Sequence, residues 1–283
     1  MAVAFQGERG AFGELAAVLF FGKNKKVVPR KEFTDVFRAV ADKQAQYGVI
    51  PIENSLAGSI HQNYDLLLEN DLFIIGEIVL QVSHYLIANR GITKSKIRRV
   101  FSHPQALAQC KRYLELMKSI EIVAVSNTAA AVKKIKEEHL KDSAAIASMQ
   151  AAIDYDMSVL ARHIEDNRNN MTRFLILARR QKKPCSAKDI KTSIVFSTKN
   201  IPGALFKALS VFALRDIDLY KIESRPVNGK NFEYLFYLDF QGYAHDKAQK
   251  NALNHLQEIT TFFRILGSYP LGDIVRPEYK KRG

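Results

Sequence analysis

Between Ala2 and Ala178, short apolar runs alternate with stretches whose apolar residues recur every three to four positions. The first kind reads as strand and the second as helix, because side chains repeat every two residues in one and every 3.6 in the other. Strands are expected at Ala2 to Phe5, Lys26 to Pro29, Tyr47 to Ile50, Arg99 to Phe101, Glu121 to Val125, Ala144 to Ala147 and Thr172 to Ala178. Helices are expected at Glu14 to Phe21, Thr34 to Ala41, Ile60 to Leu68, Pro104 to Met117 and Thr128 to Glu138. Leu72 to Ala88 is long and β-rich, interrupted near Gln81 to His84. Strands alternating with helices imply an α/β fold of parallel sheets with helices on both faces. Two such lobes fit the length, although periodicity alone does not divide them.

Arg179 to Asp189 is polar, basic and contains Pro184, which reads as a linker. Beyond it the pattern is cleaner. Thr192 to Thr198 is a strand, and Pro202-Gly203 starts a helix in which Leu205, Ala208, Leu209 and Phe212 share a face. Leu219 to Ser224 is a strand, Val227 to Lys230 a turn with an Asn-Gly signal, and Phe232 to Phe240 a strand of alternating aromatics. A helix at Ala248 to Leu256 and a strand at Phe262 to Leu266 complete the order βαββαβ, the ferredoxin-like arrangement. A small sheet with helices on one face leaves the other face open for a partner or ligand. A basic tail, 276–283, follows.

Composition narrows the function classes. A length of 283 residues suggests about two domains, and 47% hydrophobic with 25% charged residues is ordinary for a soluble globular chain. Only two cysteines are present, Cys110 in a helical pattern and Cys185 in the linker, which argues against a disulfide framework and for a reducing compartment. No CxxC or HExxH spacing points to a metal. The net charge of +13 invites a nucleic-acid reading, but the Lys and Arg are scattered in short groups without interleaved aromatics. They fit solvated faces, and a positive field that favours capture of small anions. With neither a signal-peptide pattern at Met1 nor an apolar stretch of membrane-spanning length, a cytosolic protein is expected, without nucleic-acid or membrane partners.

Several short motifs could carry chemistry, and each has a bland alternative. Pro51-Ile-Glu53-Asn54-Ser55 places a carboxylate, an amide and a hydroxyl at a strand end, where open α/β sheets bind ligands. Ser55 with Ser59 could merely cap the next helix, and spacing alone favours that reading. Ser102-His-Pro104-Gln105 opens a helix whose N-terminus favours a carboxylate, with Gln105 and Gln109 on one face. Ser102 could equally be an N-cap, and His103 is read as structural. In Asn170-Met-Thr172-Arg173-Phe174, Thr172 and Arg173 should point to opposite faces unless the strand bulges. Gly7-Glu-Arg-Gly10-Ala-Phe12-Gly13 lacks the spacing of a nucleotide-binding turn and reads as a tight strand-to-helix connection.

Taken together, FQGERGAFGE, VIPIENSLAGSI, FSHPQALAQC, NMTRF, IPGALFKAL and ESRP resemble the prephenate dehydratase family, in order and along nearly the whole chain. One departure is Gly13, where the family usually has Ser or Thr. The resemblance implies a two-lobed, periplasmic-binding-protein-like catalytic domain over 1–180, with lobes roughly 1–78 plus 165–180, and 79–164. A linker at 181–190 and an ACT regulatory domain over 191–275 follow. The dehydratase pattern starts at Met1, so the helical chorismate mutase domain of bifunctional relatives is not expected.

The implied reaction is the decarboxylating dehydration of prephenate to phenylpyruvate, with no cofactor and no metal. The resemblance assigns Thr172 as hydrogen-bond donor to the leaving hydroxyl, and Glu53 as candidate proton source if burial raises its pKa from about 4.3. Arg173 and the helix start at Ser102 would hold carboxylate, Asn54 and Gln109 would orient the substrate, and Ser55, Gln105 and Phe174 would line the site. It also implies feedback inhibition by L-phenylalanine, bound by Asn200, Gly203, Ala204 and Leu205 together with Glu223, Ser224, Arg225 and Pro226. A homo-oligomer built through paired ACT domains, a dimer or dimer of dimers, is expected. Arogenate in place of prephenate, or a non-catalytic amino-acid sensor, remain as alternatives.

Overall fold

A computed structural model of the chain describes residues 2–184, 189–226 and 233–277. They fall into two compact units: one holds the chain up to Leu66, Ile78–Phe174 and the residues from Ile274, the other Leu67–Glu77 and Leu175–Asp273. The first half runs β1 (Val3–Gln6), α1 (Phe12–Phe21), β2 (Val27–Arg30), α2 (Phe33–Ala41), β3 (Tyr47–Asn54), β4 (Gly58–Ser59), α3 (His61–Glu69), β5 (Phe73–Gln81) and β6 (Tyr85–Ala88). Then come β7 (Arg99–Ser102), α4 (Pro104–Gln109), α5 (Lys111–Glu115), β8 (Glu121–Ala124), α6 (Thr128–Glu137), β9 (Ser143–Ala147), α7 (Met149–Asp154), β10 (Ser158–Arg162) and β11 (Met171–Ala178).

One sheet has the order β5-β11-β3-β1-β2, with β4 added to β3 and a short last strand, β16 (Ile274–Val275), beside β5. β1 lies parallel to both β2 and β3. The other sheet has the order β10-β6-β9-β7-β8. Its helices cover both faces: α6 and α7 pack over Tyr85, Ile87 and Ala145, while α4 and α5 pack over Leu86, Val100 and Ile146.

The expectation of parallel sheets needs correction here. β7 is parallel to β8 and β9, but β6 is antiparallel to β9 and to β10. The segment between β6 and β7 holds only a 3-10 turn, and the two strands run in opposite directions on either side of β9. The helix expected over Pro104 to Met117 breaks at Cys110, whose φ of −115° leaves the helical region.

The turn between β1 and α1 rests on α7. A Cβ on Gly10, which has φ +84°, would lie 2.5 Å from the Ala151 Cα, so only glycine fits. Ser148 Oγ donates to the Gly10 carbonyl at 2.6 Å while accepting from the Ala151 N–H that it caps.

The second unit contains β12 (Ile190–Ser197), α8 (Ala204–Ala213), β13 (Leu219–Pro226), β14 (Tyr234–Gln241), α9 (Lys247–Ile259) and β15 (Phe262–Pro270). This is the expected ferredoxin-like βαββαβ order, in an antiparallel sheet β13-β14-β12-β15. Ile194, Phe196, Leu238 and Phe240 pack one sheet face against Ala208, Val211 and Phe212 of α8 and Ala252, Leu253 and Leu256 of α9. The opposite face is not left open. Lys191 on β12 is buried there and donates to both Glu77 carboxylate oxygens at 2.7 and 3.0 Å. Loss of either partner would strand a buried charge at a cost of roughly 3–5 kcal/mol. The Asn-Gly turn, Phe232, Cys185 and residues 278–283 of the basic tail lie outside the described residues. Among the described residues no helix is long and apolar enough to cross a membrane.

Candidate active site

β3 and β11 are neighbours in their sheet, and their facing ends carry Glu53-Asn54 and Thr172-Arg173. Strand alternation separates each pair. Asn54 and Thr172, 7% and 8% exposed, line a cavity of about 370 Å³. Asn54 Nδ2 donates to Thr172 Oγ1 at 2.9 Å and to Asn170 Oδ1 at 2.7 Å. Asn54 Oδ1 accepts the N–H groups of Leu56 and Ala57 at 3.1 and 3.0 Å, which fixes the amide's orientation. Thr172 Oγ1 therefore receives a hydrogen bond at the cavity wall. The expected opposition of Thr172 and Arg173 is what β11 adopts: Arg173 Nη2 donates to Glu53 Oε2 at 2.9 Å, and neither residue lines the cavity.

The far wall comes from the second sheet and from the crossing between the two. Gln105, Gln109 and His103 on or beside α4 line the cavity, as do His84 and Phe174. Gln109 Oε1 lies 2.9 Å from Asn170 Nδ2 and 2.9 Å from His84 Nε2. Two longer helices also present their N-terminal ends: Phe12 and Gly13 of α1, and Ser126 to Thr128 at α6, where Asn127 Oδ1 caps the Ala130 N–H at 2.8 Å. Such ends offer N–H groups and positive dipole to anions. Burial pushes both the His84 and the His103 imidazole below their ordinary pKa; for His84 the hydrogen bond to Gln109 and the Glu165 charge pull weakly the other way.

Two expected site residues are committed elsewhere. Ser102 is fully buried, with its hydroxyl donating to the Ile146 carbonyl at 2.6 Å. The cap of α4 is His103, whose Nδ1 accepts the Gln105 N–H at 3.2 Å, so Ser102 is neither N-cap nor cavity wall. Ser55 accepts the Met171 N–H at 2.9 Å and donates to the Asn169 carbonyl at 2.8 Å, latching the end of β3 to β11. Sequence reasoning missed Asn170, His84 and the α6 end. Asn170 opens the NMTRF segment, and Asn127-Thr128 is a helix-cap signal, but His84 has only an interruption in a β pattern to mark it.

In the second unit, Asn200, Ala204 and Leu205 line a cavity of about 120 Å³ with Ile201, Tyr234 and Phe236. Gly203 is the residue before α8, at φ +76°. Glu223 to Pro226 form the end of edge strand β13 and do not line that cavity. Among the described residues no three His, Cys, Asp or Glu side chains are placed to hold a metal ion.

A family model described as "Prephenate dehydratase" matches residues 3–182. The chain belongs to the prephenate dehydratase family. Relatives of this family are named as dehydratases, that is, lyases. "Arogenate dehydratase/prephenate dehydratase 2, chloroplastic" of Arabidopsis thaliana is 50% identical over 278 residues, 95% of this chain and 72% of that protein. The crystal structure of a prephenate dehydratase from Arthrobacter aurescens in complex with L-Phe aligns with a TM-score of 0.88 at 31% identity, covering 96% of this chain and 90% of that one. A structure described as "a novel type of quorum quenching acylases", GqqA, aligns with a TM-score of 0.87 at 32% identity, covering 95% and 98%. A dehydratase fold therefore does not fix the reaction by itself; the cavity has to carry the argument.

Proposed function

We propose that this cavity binds prephenate and converts it to phenylpyruvate, carbon dioxide and water. The observation that carries the reading is the Thr172 hydroxyl at the cavity wall, accepting from Asn54 Nδ2 at 2.9 Å, which leaves its own proton available for donation. Prephenate is a dianion with a ring hydroxyl. As the ring carboxylate leaves as CO2, its electron pair enters the ring, the C–O bond breaks, and one proton converts the departing hydroxide to water. Aromatisation drives the step, so the protein need only orient the dianion, donate to the leaving oxygen and exclude water. Thr172 donates to that oxygen, Asn54 orients Thr172, and Gln105 and Gln109 face the substrate, with Phe174 against its ring. The N-terminal ends of α1 and α6 receive the two carboxylates. Glu53 and Arg173 act from behind the sheet as a supporting ion pair; this replaces the proton-donating and carboxylate-holding roles that the family resemblance suggested for them.

We further propose that L-phenylalanine inhibits through the βαββαβ unit acting as an ACT domain. The reading is supported by the L-Phe complex of the Arthrobacter aurescens protein and by the pocket at Asn200, Ala204 and Leu205. Glu223 to Pro226, on an edge strand, would reach the same ligand from a second copy in a dimer or dimer of dimers. Calorimetry with L-phenylalanine, with tyrosine as control, tests the effector; light scattering with and without it tests assembly. The names of the plant relatives make arogenate the alternative substrate and a plastid the alternative to a cytosolic location. Turnover of each substrate by the purified protein decides the first, with phenylpyruvate expected from prephenate.

A further inference from the structure

The hydrogen bonds that cross the cavity floor have one consistent direction. It starts from two groups that can only donate, the backbone N–H groups of Leu56 and Ala57 on Asn54 Oδ1. Asn54 must then present its NH2 to Asn170 Oδ1, and Asn170 its NH2 to Gln109 Oε1. Gln109 Oε1 is thereby fixed as an acceptor, so the atom it meets on His84, Nε2, has to carry a hydrogen. His84 is 2% exposed, and its Nδ1 is buried without a hydrogen-bond partner among the described residues. A hydrogen on that atom would have no acceptor, whereas a lone pair tolerates the apolar setting better. The ring is held edge-on to Phe12 with centroids 6.0 Å apart, and the backbone is pinned at both ends of the residue, its N–H donating to Glu165 Oε2 at 2.8 Å and its carbonyl accepting from Ile164 at 3.1 Å.

We infer that His84, as the neutral imidazole with hydrogen on Nε2, is a positioning residue that holds the Gln109 amide with its NH2 toward the substrate. Both lone pairs of Gln109 Oε1 are taken, by Asn170 and by His84, so the amide cannot flip without breaking two hydrogen bonds. The NH2 left over is a double donor suited to a carboxylate or to the leaving oxygen. His84 acts through Gln109, and from a position in the crossing between the two sheets it ties the orientation of one wall to Asn54 and Thr172 on the other. The catalytic part of the inference rests on the reading of the cavity as a prephenate site, while the tautomer does not.

Nitrogen-15 NMR of histidine-labelled full-length protein without substrate tests the tautomer. A neutral ring protonated at Nε2 is expected at neutral pH, and hydrogen on Nδ1 or a charged ring overturns the inference. Kinetics tests the positioning. His84→Leu should lower kcat/KM by about 10- to 100-fold, the scale of a misplaced binding group. His84→Gln, which can present an amide NH2 near the position of Nε2, should recover most of that loss. In a Gln109→Ala background His84→Leu should add less than about 2-fold, because the two act in series. Multiplying effects, or a His84→Gln as impaired as His84→Leu, would mean a structural role only and sink the positioning claim. Absence of turnover of prephenate and arogenate by the wild type would instead sink the substrate reading, and leave the tautomer to be judged by NMR alone.

Discussion

Glu53 is adjacent to Asn54 and Thr172 to Arg173, yet the sheet sends the members of each pair to opposite faces. On the cavity face, two uncharged side chains are almost wholly buried and joined to a network of amides. On the back face, a carboxylate and a guanidinium pair at 2.9 Å, with the Glu53 side chain 36% exposed. On the proposed function, the difference separates chemistry from support. An uncharged network can sit dry in a cleft and be oriented rigidly, whereas an ion pair at a partly hydrated face contributes little energy and mostly fixes strand ends. Charged residues draw attention in a sequence, but here the amide and hydroxyl neighbours face the cavity.

The comparison breaks most readily at Thr172. Thr172→Ala should lower kcat by roughly 10²-fold or more, as loss of a transition-state donor does, with the circular dichroism spectrum unchanged. Thr172→Ser should retain more activity because the hydroxyl remains. Asn54→Ala comes next. It leaves the Leu56 and Ala57 N–H groups and Asn170 Oδ1 short of a partner, so a stability loss of about 1–3 kcal/mol in denaturant titration should accompany a kcat loss of about 10-fold.

The back face should respond differently. Arg173→Ala should shift the denaturation midpoint by the equivalent of about 1 kcal/mol while kcat changes far less than in Thr172→Ala. Glu53→Gln should keep most of kcat; a loss as large as that of Thr172→Ala would make Glu53 the proton source and erase the contrast between the faces.

The smallest expected effect is on pH. His84 and His103 have folded-state pKa values below their ordinary value because of burial. Below about pH 6.5 the unfolded chain takes up protons that the folded chain refuses, so stability is present above that pH and falls as pH drops. Glu14, raised by burial, works in the opposite direction at lower pH. The informative measurement is therefore the wild type against His84→Gln: the variant's thermal midpoint should decline less between pH 7 and 5.5.

Much of this was legible from pattern. The alternating strand ending in Phe240 and the helix of Leu205, Ala208 and Phe212 gave the βαββαβ order, because both periods are local and repeat over several residues. The period-2 rule also anticipated that Thr172 and Arg173 would part. What failed was long-range. Ser102 looked like a helix cap until the Ile146 carbonyl on β9 took its hydroxyl. The antiparallel β6 follows a connection, 89–98, that holds a 3-10 turn and no α-helix, and the strand pattern alone did not show which way β6 runs. Asn170 and His84 gained their places from partners 116 and 25 residues away, and no spacing along the chain encodes those contacts.

The central claim is that the Asn54–Thr172 face of this cavity performs the dehydration of prephenate. Its most direct test is phenylpyruvate formation from prephenate by purified wild-type protein and by Thr172→Ala, assayed side by side with arogenate as parallel substrate. Steady turnover of prephenate by the wild type, reduced at least about 10²-fold in Thr172→Ala, is the predicted result. No product from either substrate, or a Thr172→Ala protein that turns over like the wild type, would contradict it.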